Sequence, residues 1–267
     1  MINKQMNKNK LYTLLFLILG LLSACGEDRN MDNMSSYADG MGGLNLKNNT
    51  STHITIPVIT KSADFTDIEA ANFYVGILDA SGKEVKKFDT FTELLEEGQP
   101  LVLPYGTYTV ISSSFEKGDT KVSKNPYFFD KQEEIVIEEK KTTNVTLNCK
   151  FKSIGVELVL SEQFKKKLEE KPNDYEYKIV VSNGIAEWAF TPDKMEPGYF
   201  LDACDELVTT VSVRLGSDKW YPDRIHRIKN NGMSPQLGEY YIIRLDAGEQ
   251  EEKVILKTLA VTDKIEE

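Results

Sequence analysis

The stretch TTNVTLNCKF, at Thr142–Phe151, alternates polar and apolar side chains with a period of two. Successive side chains of a β-strand point to opposite faces of a sheet, so the pattern predicts one strand with one buried face. Val145, Leu147, Cys149 and Phe151 make up that face. For Cys149 this predicts the role of a small buried hydrophobe, because free cysteine is among the most buried residue types.

Segments with the same period recur on both sides of this strand, and turn residues separate them. Several short strands with such spacing favour a β-sandwich. The predicted strands are Thr52–Ile59, Asn72–Asp79, Tyr105–Ser113, Glu133–Glu138, Thr142–Phe151, Tyr175–Ser182, Ala186–Thr191, Leu207–Leu215, Tyr240–Asp246 and Lys253–Val261.

Two short helices are predicted between the strands. Thr90 and Glu93 have the spacing of a capping box, and the helix that they open ends at Gly98. Ser161 is placed to cap a second helix, SEQFKKKLEEK, which stops before Pro172. The fold class predicted from the sequence is therefore all-β with one or two short helices.

The two halves of the chain repeat one device, a strand, a charged turn and a second strand with alternating apolar residues. It occurs as IVIEEKKTTNVTLNCK from Ile135 and as IIRLDAGEQEEKVILK from Ile242. The chain is also long enough for two domains of ordinary size. We therefore predict two tandem β-sandwich domains, at residues 44–151 and 152–267.

The first residues have the layout of an export signal. Residues 1–10 contain three lysines and no acid, and Leu11–Leu22 forms a mostly apolar block. A membrane-spanning helix needs about 20 apolar residues, and this block is much shorter. The layout predicts a signal peptide at residues 1–24 that is removed.

Ser23 and Ala24 stand directly before Cys25, and the segment resembles the lipobox of bacterial lipoproteins. The resemblance implies that Cys25 carries a diacylglycerol, each buried CH₂ of which stabilises membrane attachment by about 0.8 kcal/mol. The membrane is then a partner through this lipid anchor. The alternative is an ordinary secretory signal that happens to contain a cysteine.

Residues 25–43 are polar and rich in glycine and have no helix or strand period, which predicts a flexible tether. A coil of that length reaches about 20–25 Å. Glu27, Asp28 and Asp32 resemble the surface-export signals of Bacteroidota lipoproteins, which implies an outward-facing location on the outer membrane. A solvated tether accounts for the same acids equally well.

The charge of the chain excludes some partners. The net charge is −10, and removal of residues 1–24, with their three lysines, would leave 243 residues at −13. Nucleic acid and anionic membrane surfaces require basic patches, so both are disfavoured as partners.

Signals for catalysis are weak throughout the sequence. His53 and His226 are the only histidines, and each occurs in a context that predicts a surface group; His226 lies in a segment interpreted as irregular. Motifs for a nucleophile elbow, a phosphate loop and a calcium loop are absent. Counting acids leaves a carboxylate pair open, but none stands out. We expect no catalytic residue, no metal and no cofactor, and hence a protein that is not an enzyme.

Cys149 and Cys204 are the cysteines that follow Cys25. An exported location permits a disulfide between them, and this alternative to the buried-hydrophobe role stays open.

The order of these signals resembles uncharacterised Bacteroidales lipoproteins of the fimbrillin-like superfamily. The segments that carry the resemblance are the lipobox at Cys25, VITK at residues 58–61, NFYVGILDASGKEVKKF, LPYGTYTV, TTNVTLNCKF and YKIVVSNG with EPGYFLD downstream. It implies two transthyretin-like β-sandwich domains and a cell-surface role in adhesion, or in the assembly or anchoring of fimbriae (pili). Proteolytic processing at Lys61 is also implied, although arginine is the usual residue there.

In that superfamily a strand of one subunit fills a groove in the next, so other fimbrial subunits are implied as partners. Unpaired backbone groups at the edge of a sheet would accept such a strand. Val254, Leu256, Leu259 and Val261 are candidate side chains for the inserted strand. The preferred interpretation of Lys253–Val261 is nevertheless an ordinary last strand of its own domain.

An alternative function is carbohydrate binding by an outer-membrane lipoprotein of a glycan-uptake system. A glycan or protein of a host or microbial surface is a further candidate partner of the chain. Aromatic residues are frequent in the second half, and Trp220 and Tyr221 occur at a turn where they can be exposed. Both are candidate glycan contacts. Trp188 alternates with Phe190 on a strand, which predicts that Trp188 and most other aromatics of this half lie in the core.

Overall fold

The structure is a computed structural model and describes residues 37–50, 53–54, 63–65, 67–170, 175–215, 220, 223–229, 232–247 and 254–261. Within these ranges the chain is an all-β protein with 18 strands and two α-helices, as predicted. A helix long and apolar enough to span a membrane does not occur in the described part. The predicted signal peptide, Cys25 and Lys61 lie outside the described residues.

The first half contains ten strands. They are β1 (Met41–Thr50), β2 (His53–Ile54), β3 (Ala63–Asp64), β4 (Tyr74–Asp79), β5 (Glu84–Phe88), β6 (Leu101–Pro104), β7 (Gly106–Ser113), β8 (Val122–Ser123), β9 (Phe128–Ile137) and β10 (Thr142–Phe151). Helix α1 (Phe91–Glu97) and a 3-10 turn (Ala70–Asn72) connect some of them.

The second half contains eight strands and helix α2 (Glu162–Glu170). The strands are β11 (Ile154–Leu160), β12 (Tyr175–Ser182), β13 (Glu187–Phe190), β14 (Gly198–Phe200), β15 (Leu207–Leu215), β16 (Arg224–Ile228), β17 (Tyr240–Ala247) and β18 (Val254–Val261).

Seven of the ten strands of the first half follow the order β5-β4-β7-β9-β10-β1-β6. β9 and β10 pair only where Phe128 and Phe129 meet Phe151 and Lys150, so the two strands separate towards the turn that joins them. Buried residues of β1, β6 and β10 belong to one apolar cluster with those of β4, β5, β7, β9 and α1. This half therefore buries its core between two groups of strands.

The second half has the same plan. One sheet has the order β18-β17-β11-β14-β8 and the other β13-β12-β15-β16, and residues of both sheets and of α2 share one apolar cluster. The first strand of each half also pairs in parallel with a later one, β1 with β10 and β11 with β17. This shared parallel pairing supports the internal repeat seen in the sequence.

The two halves meet through an aromatic cluster and a strap. Phe65, Phe128 and Phe151 of the first half pack with Tyr199 and Tyr240 of the second. The strap is the loop between β7 and β9, in which β8 pairs with β14 of the second half. The division into domains at residue 151 is not tested by these contacts and stays a prediction.

Strand β1 differs from the sequence interpretation, which has a tether up to residue 43 and no strand at 41–50. The structure begins β1 at Met41 and buries Tyr37. A Cβ atom on Gly43 would lie 2.0 Å from the Tyr37 hydroxyl, so the glycine allows the tyrosine to lie on the strand. Asn45 donates to Asn144 of β10 at 3.0 Å, and partners of this kind are invisible to a local pattern.

Both predicted helix caps are confirmed. The Thr90 hydroxyl accepts from the backbone N–H of Glu93 at 3.1 Å, and the Ser161 hydroxyl accepts from that of Phe164 at 3.1 Å. Gly98 ends α1 with a φ of +99°, a conformation that favours glycine.

Candidate strand-pairing edge and surface sites

An unpaired sheet edge is the feature through which a β protein can bind a strand of another protein. Proteins protect such edges with short strands, charges or proline. Two of the described edge strands are short, since β8 has two residues and β13 has four. β6 ends in Pro104. β5 and β16 carry charged side chains, Lys86 and Lys87 on β5 and Arg224 and Arg227 on β16.

Strand β18 is the exception among these edges. It has eight residues, no proline and one lysine, Lys257. It pairs with β17 along its whole length, from Tyr240↔Val261 to Ala247↔Val254, and is the outermost strand of its sheet. The interpretation of this segment as a regular member of its own sheet is therefore confirmed, and β18 is the longest of the outermost strands in the described part of the chain.

The register of β18 divides the four residues proposed for insertion. Val254 and Leu256 lie opposite Ala247 and Leu245, whereas Leu259 and Val261 lie opposite Ile242 and Tyr240. Positions that differ by an odd number face opposite sides of a sheet. Val254 and Leu256 therefore lie on one face of the sheet, and Leu259 and Val261 lie on the other.

The edge of β1 is closed in a different way. β6 pairs with β1 only as far as Leu44, and the side chain of Gln99 then bonds both backbone groups of Leu46. Sequence reasoning missed this residue, and the only local signal is its position just before the strand that forms the edge.

Trp220 is 47% exposed, as its position at a turn predicts. It forms an isolated bridge with Arg214, whose guanidinium lies 3.0 Å from Glu176. Tyr221 lies outside the described residues. The role of either residue in glycan contact is untested and stays a prediction.

Trp188 lies in the core, as predicted, and so do Tyr199, Tyr240 and Tyr241. The Trp188 indole N–H donates to the Glu196 carbonyl at 3.1 Å, and Lys194 Nζ lies 3.6 Å from the ring centroid. These contacts satisfy the polar atom of a buried indole, so they assign Trp188 to packing.

Cys149 and Cys204 are both free, so the disulfide alternative is wrong for this structure. Cys149 Sγ lies 3.5 Å from the Ser112 carbonyl oxygen, and burial raises the pKa of the thiol to about 12. Burial also raises the pKa of the Cys204 thiol to about 11. A thiol with a raised pKa holds little thiolate at neutral pH, which fits a buried hydrophobe.

The histidines belong to strands of different sheets. His53 belongs to β2, and His226 belongs to β16, so the interpretation of its segment as irregular is wrong. The period-two pattern of RIHRI is short and charged, and pairing with β15 makes it a strand. Clusters of three or more potential metal ligands do not occur within the described ranges.

The fold and edges define a class, an all-β protein of two similar halves with one long outermost strand, β18. A family model described as a domain of unknown function (DUF4493) matches residues 40–265. The chain belongs to this family, because the match spans most of its length. A comparison with curated proteins found no match.

Solved structures similar to this chain include a fimbrial assembly protein from Parabacteroides distasonis. It is 14% identical, with a TM-score of 0.44 over 84% of this chain and 99% of the other. The tip fimbrial protein Mfa3 from Porphyromonas gingivalis, with a C-terminal truncation, is 7% identical, with a TM-score of 0.39 over 71% of this chain and 93% of the other. Similarity at this level does not bear on function.

Proposed function

We propose that this chain is a lipid-anchored protein of the outer cell surface that acts without catalysis, by strand pairing with other subunits in adhesion or fimbria assembly. The resemblance of its segments to the fimbrillin-like superfamily supports the class. The lipobox resemblance at Cys25 supports the anchor. The names of the similar solved structures agree with this proposal, but their TM-scores are too low to support it.

The long edge of β18 is the observation on which the proposal rests. The other outermost strands in the described part of the chain have two to five residues, whereas β18 has eight residues and a single lysine, Lys257. A second strand that pairs there satisfies the free backbone groups, and so does an exchange of β18 between subunits. Strand exchange also produces complexes that dissociate slowly, because a whole row of backbone hydrogen bonds must break.

A cross-strand disulfide tests whether β18 leaves its own sheet. Arg244 and Lys257 lie directly opposite each other in the β17–β18 pair, so Arg244→Cys with Lys257→Cys can be oxidised to lock β18 in place. The full-length protein is nicked with trypsin near Lys61 and analysed for oligomers that resist sodium dodecyl sulfate. We expect oligomers from the unmodified chain and from the reduced variant, and monomers from the oxidised variant.

Two controls accompany this test. Lys257→Cys alone should behave like the unmodified chain under oxidation, and Lys61→Ala should stay monomeric after the protease treatment if Lys61 is the processing site. A chain that stays monomeric under all conditions contradicts strand exchange. Oligomers from the oxidised variant would show that pairing occurs without release of β18.

The exposure of Trp220 favours a second candidate, a glycan-binding protein of an uptake system. An exposed indole beside polar and charged side chains can pack on a sugar ring, and Arg214 and Glu176 lie on adjoining strands.

We expect Trp220→Ala to lose affinity for polysaccharide in affinity electrophoresis with the chain still monomeric. Tyr105→Ala is the matched control, because Tyr105 is a 66% exposed aromatic of the first half. Equal retardation of both variants and the unmodified chain would contradict this candidate.

A further inference from the structure

A cavity of about 410 Å³ opens beside the junction of the two halves, next to the 3-10 turn Ala70–Asn72. One wall consists of residues between 65 and 73, and the other belongs to the strap between β7 and β9. Ser114, Phe115, Asn125 and Pro126 line the strap side. The lining, as far as the described residues go, includes neither Trp220 nor a residue of β18, so the cavity is separate from the sites of the proposed function.

Three phenylalanines, together with Ile68 and Pro126, form the apolar part of the lining. Phe65 and Phe73 are only 8% and 2% exposed, because their rings pack in the aromatic cluster between the halves. Phe115 is half-buried, and its centroid lies 5.1 Å from that of Tyr127. The cavity therefore has an apolar floor in which the rings of Phe65 and Phe73 are packed and offer no open face.

The rim of the cavity is acidic and polar. Asp67 and Glu69 are exposed there, on either side of the half-buried Ile68, and Asn72 and Asn125 add side-chain amides. The described lining residues include two carboxylates and no lysine, arginine or histidine. A positively charged group at the rim would thus meet two carboxylates and no positive charge among the described lining residues.

We propose that this cavity binds a lysine or arginine side chain of a partner protein. The aliphatic part of such a side chain can pack on the apolar floor, while its charged end reaches the Asp67 and Glu69 carboxylates at the rim. An acidic ligand would be repelled by the same carboxylates. A sugar ring needs an open aromatic face, which the packed rings of Phe65 and Phe73 do not provide.

Binding of short peptides to the full-length protein tests this proposal. The probes are fluorescein-labelled Gly-Ser-X-Ser-Gly peptides in which X is lysine, arginine, norleucine or glutamate, and the readout is fluorescence anisotropy. We expect the lysine and arginine peptides to bind about tenfold more tightly than the norleucine peptide, since a charge-assisted hydrogen bond contributes about that factor. The glutamate peptide should not bind, and added salt should weaken the lysine peptide most.

Variants of exposed residues locate the site without disturbing the fold. Asp67→Asn and Glu69→Gln should each lower affinity for the lysine peptide about tenfold. Asp119→Asn, an exposed acid elsewhere on the strap, should leave it unchanged. Equal affinity for the lysine and norleucine peptides, no binding of the lysine peptide, or unchanged affinity in both rim variants would overturn the proposal. Displacement of the lysine peptide by methyl glycosides would overturn it in favour of a sugar site.

Discussion

The side chain of Gln99 pairs with the backbone of Leu46 as a neighbouring strand would. The Leu46 N–H donates to Gln99 Oε1 at 2.6 Å, and Gln99 Nε2 donates to the Leu46 carbonyl oxygen at 3.0 Å. Leu46 lies two residues beyond the last β1–β6 pair, Leu44↔Leu101. One side chain therefore continues the ladder where the backbone of β6 no longer reaches.

Replacement of Gln99 by alanine should destabilise the fold. It leaves the N–H and C=O of a buried residue without partners, and each such group costs about 1–3 kcal/mol. We expect the free energy of unfolding, measured in urea, to fall by about that amount. The slope of this free energy against urea concentration should change little. Glu96→Ala, an exposed change in the preceding helix, is the control and should have little effect. If Gln99→Ala and Glu96→Ala were equally stable, water would replace the Gln99 side chain as the hydrogen-bond partner of the Leu46 backbone.

The ion pair that joins the strap to the second half should make the stability of the fold depend on pH. Lys117 Nζ lies 2.9 Å from Asp202 Oδ1 and also donates to the Leu201 carbonyl oxygen at 2.9 Å. The hydrogen bond from Lys117, with the charges of Lys117 and Lys121, lowers the pKa of the Asp202 carboxyl below its usual value. A lowered pKa in the folded state means that the carboxylate stabilises the fold above its unfolded pKa.

That contribution should be lost as the pH falls below about 4, the usual pKa of aspartate, towards the lower pKa of the folded state. Asp202→Asn should therefore be less stable than the unmodified chain by about 1 kcal/mol at pH 7. The difference should shrink in acid. Urea unfolding of both proteins between pH 7 and pH 3 measures this difference in unfolding free energy. A difference that stays constant over this range would rule out the ion pair as its cause.

Local sequence signals were sufficient for elements whose pattern is self-contained. The alternation of Thr142–Phe151 predicted β10 with both of its ends, and Thr90 and Ser161 predicted the two helix starts. In these cases the strand period or the cap involves residues that are close in sequence. The physical cause and the signal therefore occupy the same few residues.

Elements whose stability comes from distant partners were missed. Strand β8 has two residues and exists because it pairs with β14, which lies far along the chain. The glycines and asparagines of β1 look like a tether until Tyr37 and β10 are placed beside them. The cavity beside Phe65 was missed for the same reason, since its two walls come from separate segments.

Gly155 should not tolerate even a methyl group. It lies opposite Tyr240 in the parallel pair of β11 and β17, and a Cβ atom would stand 2.3 Å from Tyr240 Cδ2. Overpacking of this kind costs about 1–3 kcal/mol, which we expect for Gly155→Ala in urea unfolding. Tyr240→Ala removes the ring together with Cγ and Cδ2, so the double variant should lose less than the sum of the single changes. Additive effects would contradict a direct clash.

Phe65 should couple the stability of the two halves. Its ring centroid lies 5.5 Å and 5.3 Å from those of Phe128 and Phe151, and 6.3 Å and 6.5 Å from those of Tyr199 and Tyr240. Truncation of a buried phenylalanine to alanine costs about 3–5 kcal/mol. Because this ring contacts both halves, its loss weakens the interface more than it weakens either core.

We expect Phe65→Ala to separate thermal unfolding into two transitions in differential scanning calorimetry, where the unmodified chain shows one. Phe91→Ala is the matched control, because Phe91 is equally buried but belongs to the core of the first half alone. It should lower the stability of that half and leave the interface rings in place. A single transition in Phe65→Ala would mean that the strap, with β8 and the Lys117–Asp202 pair, couples the halves without the ring.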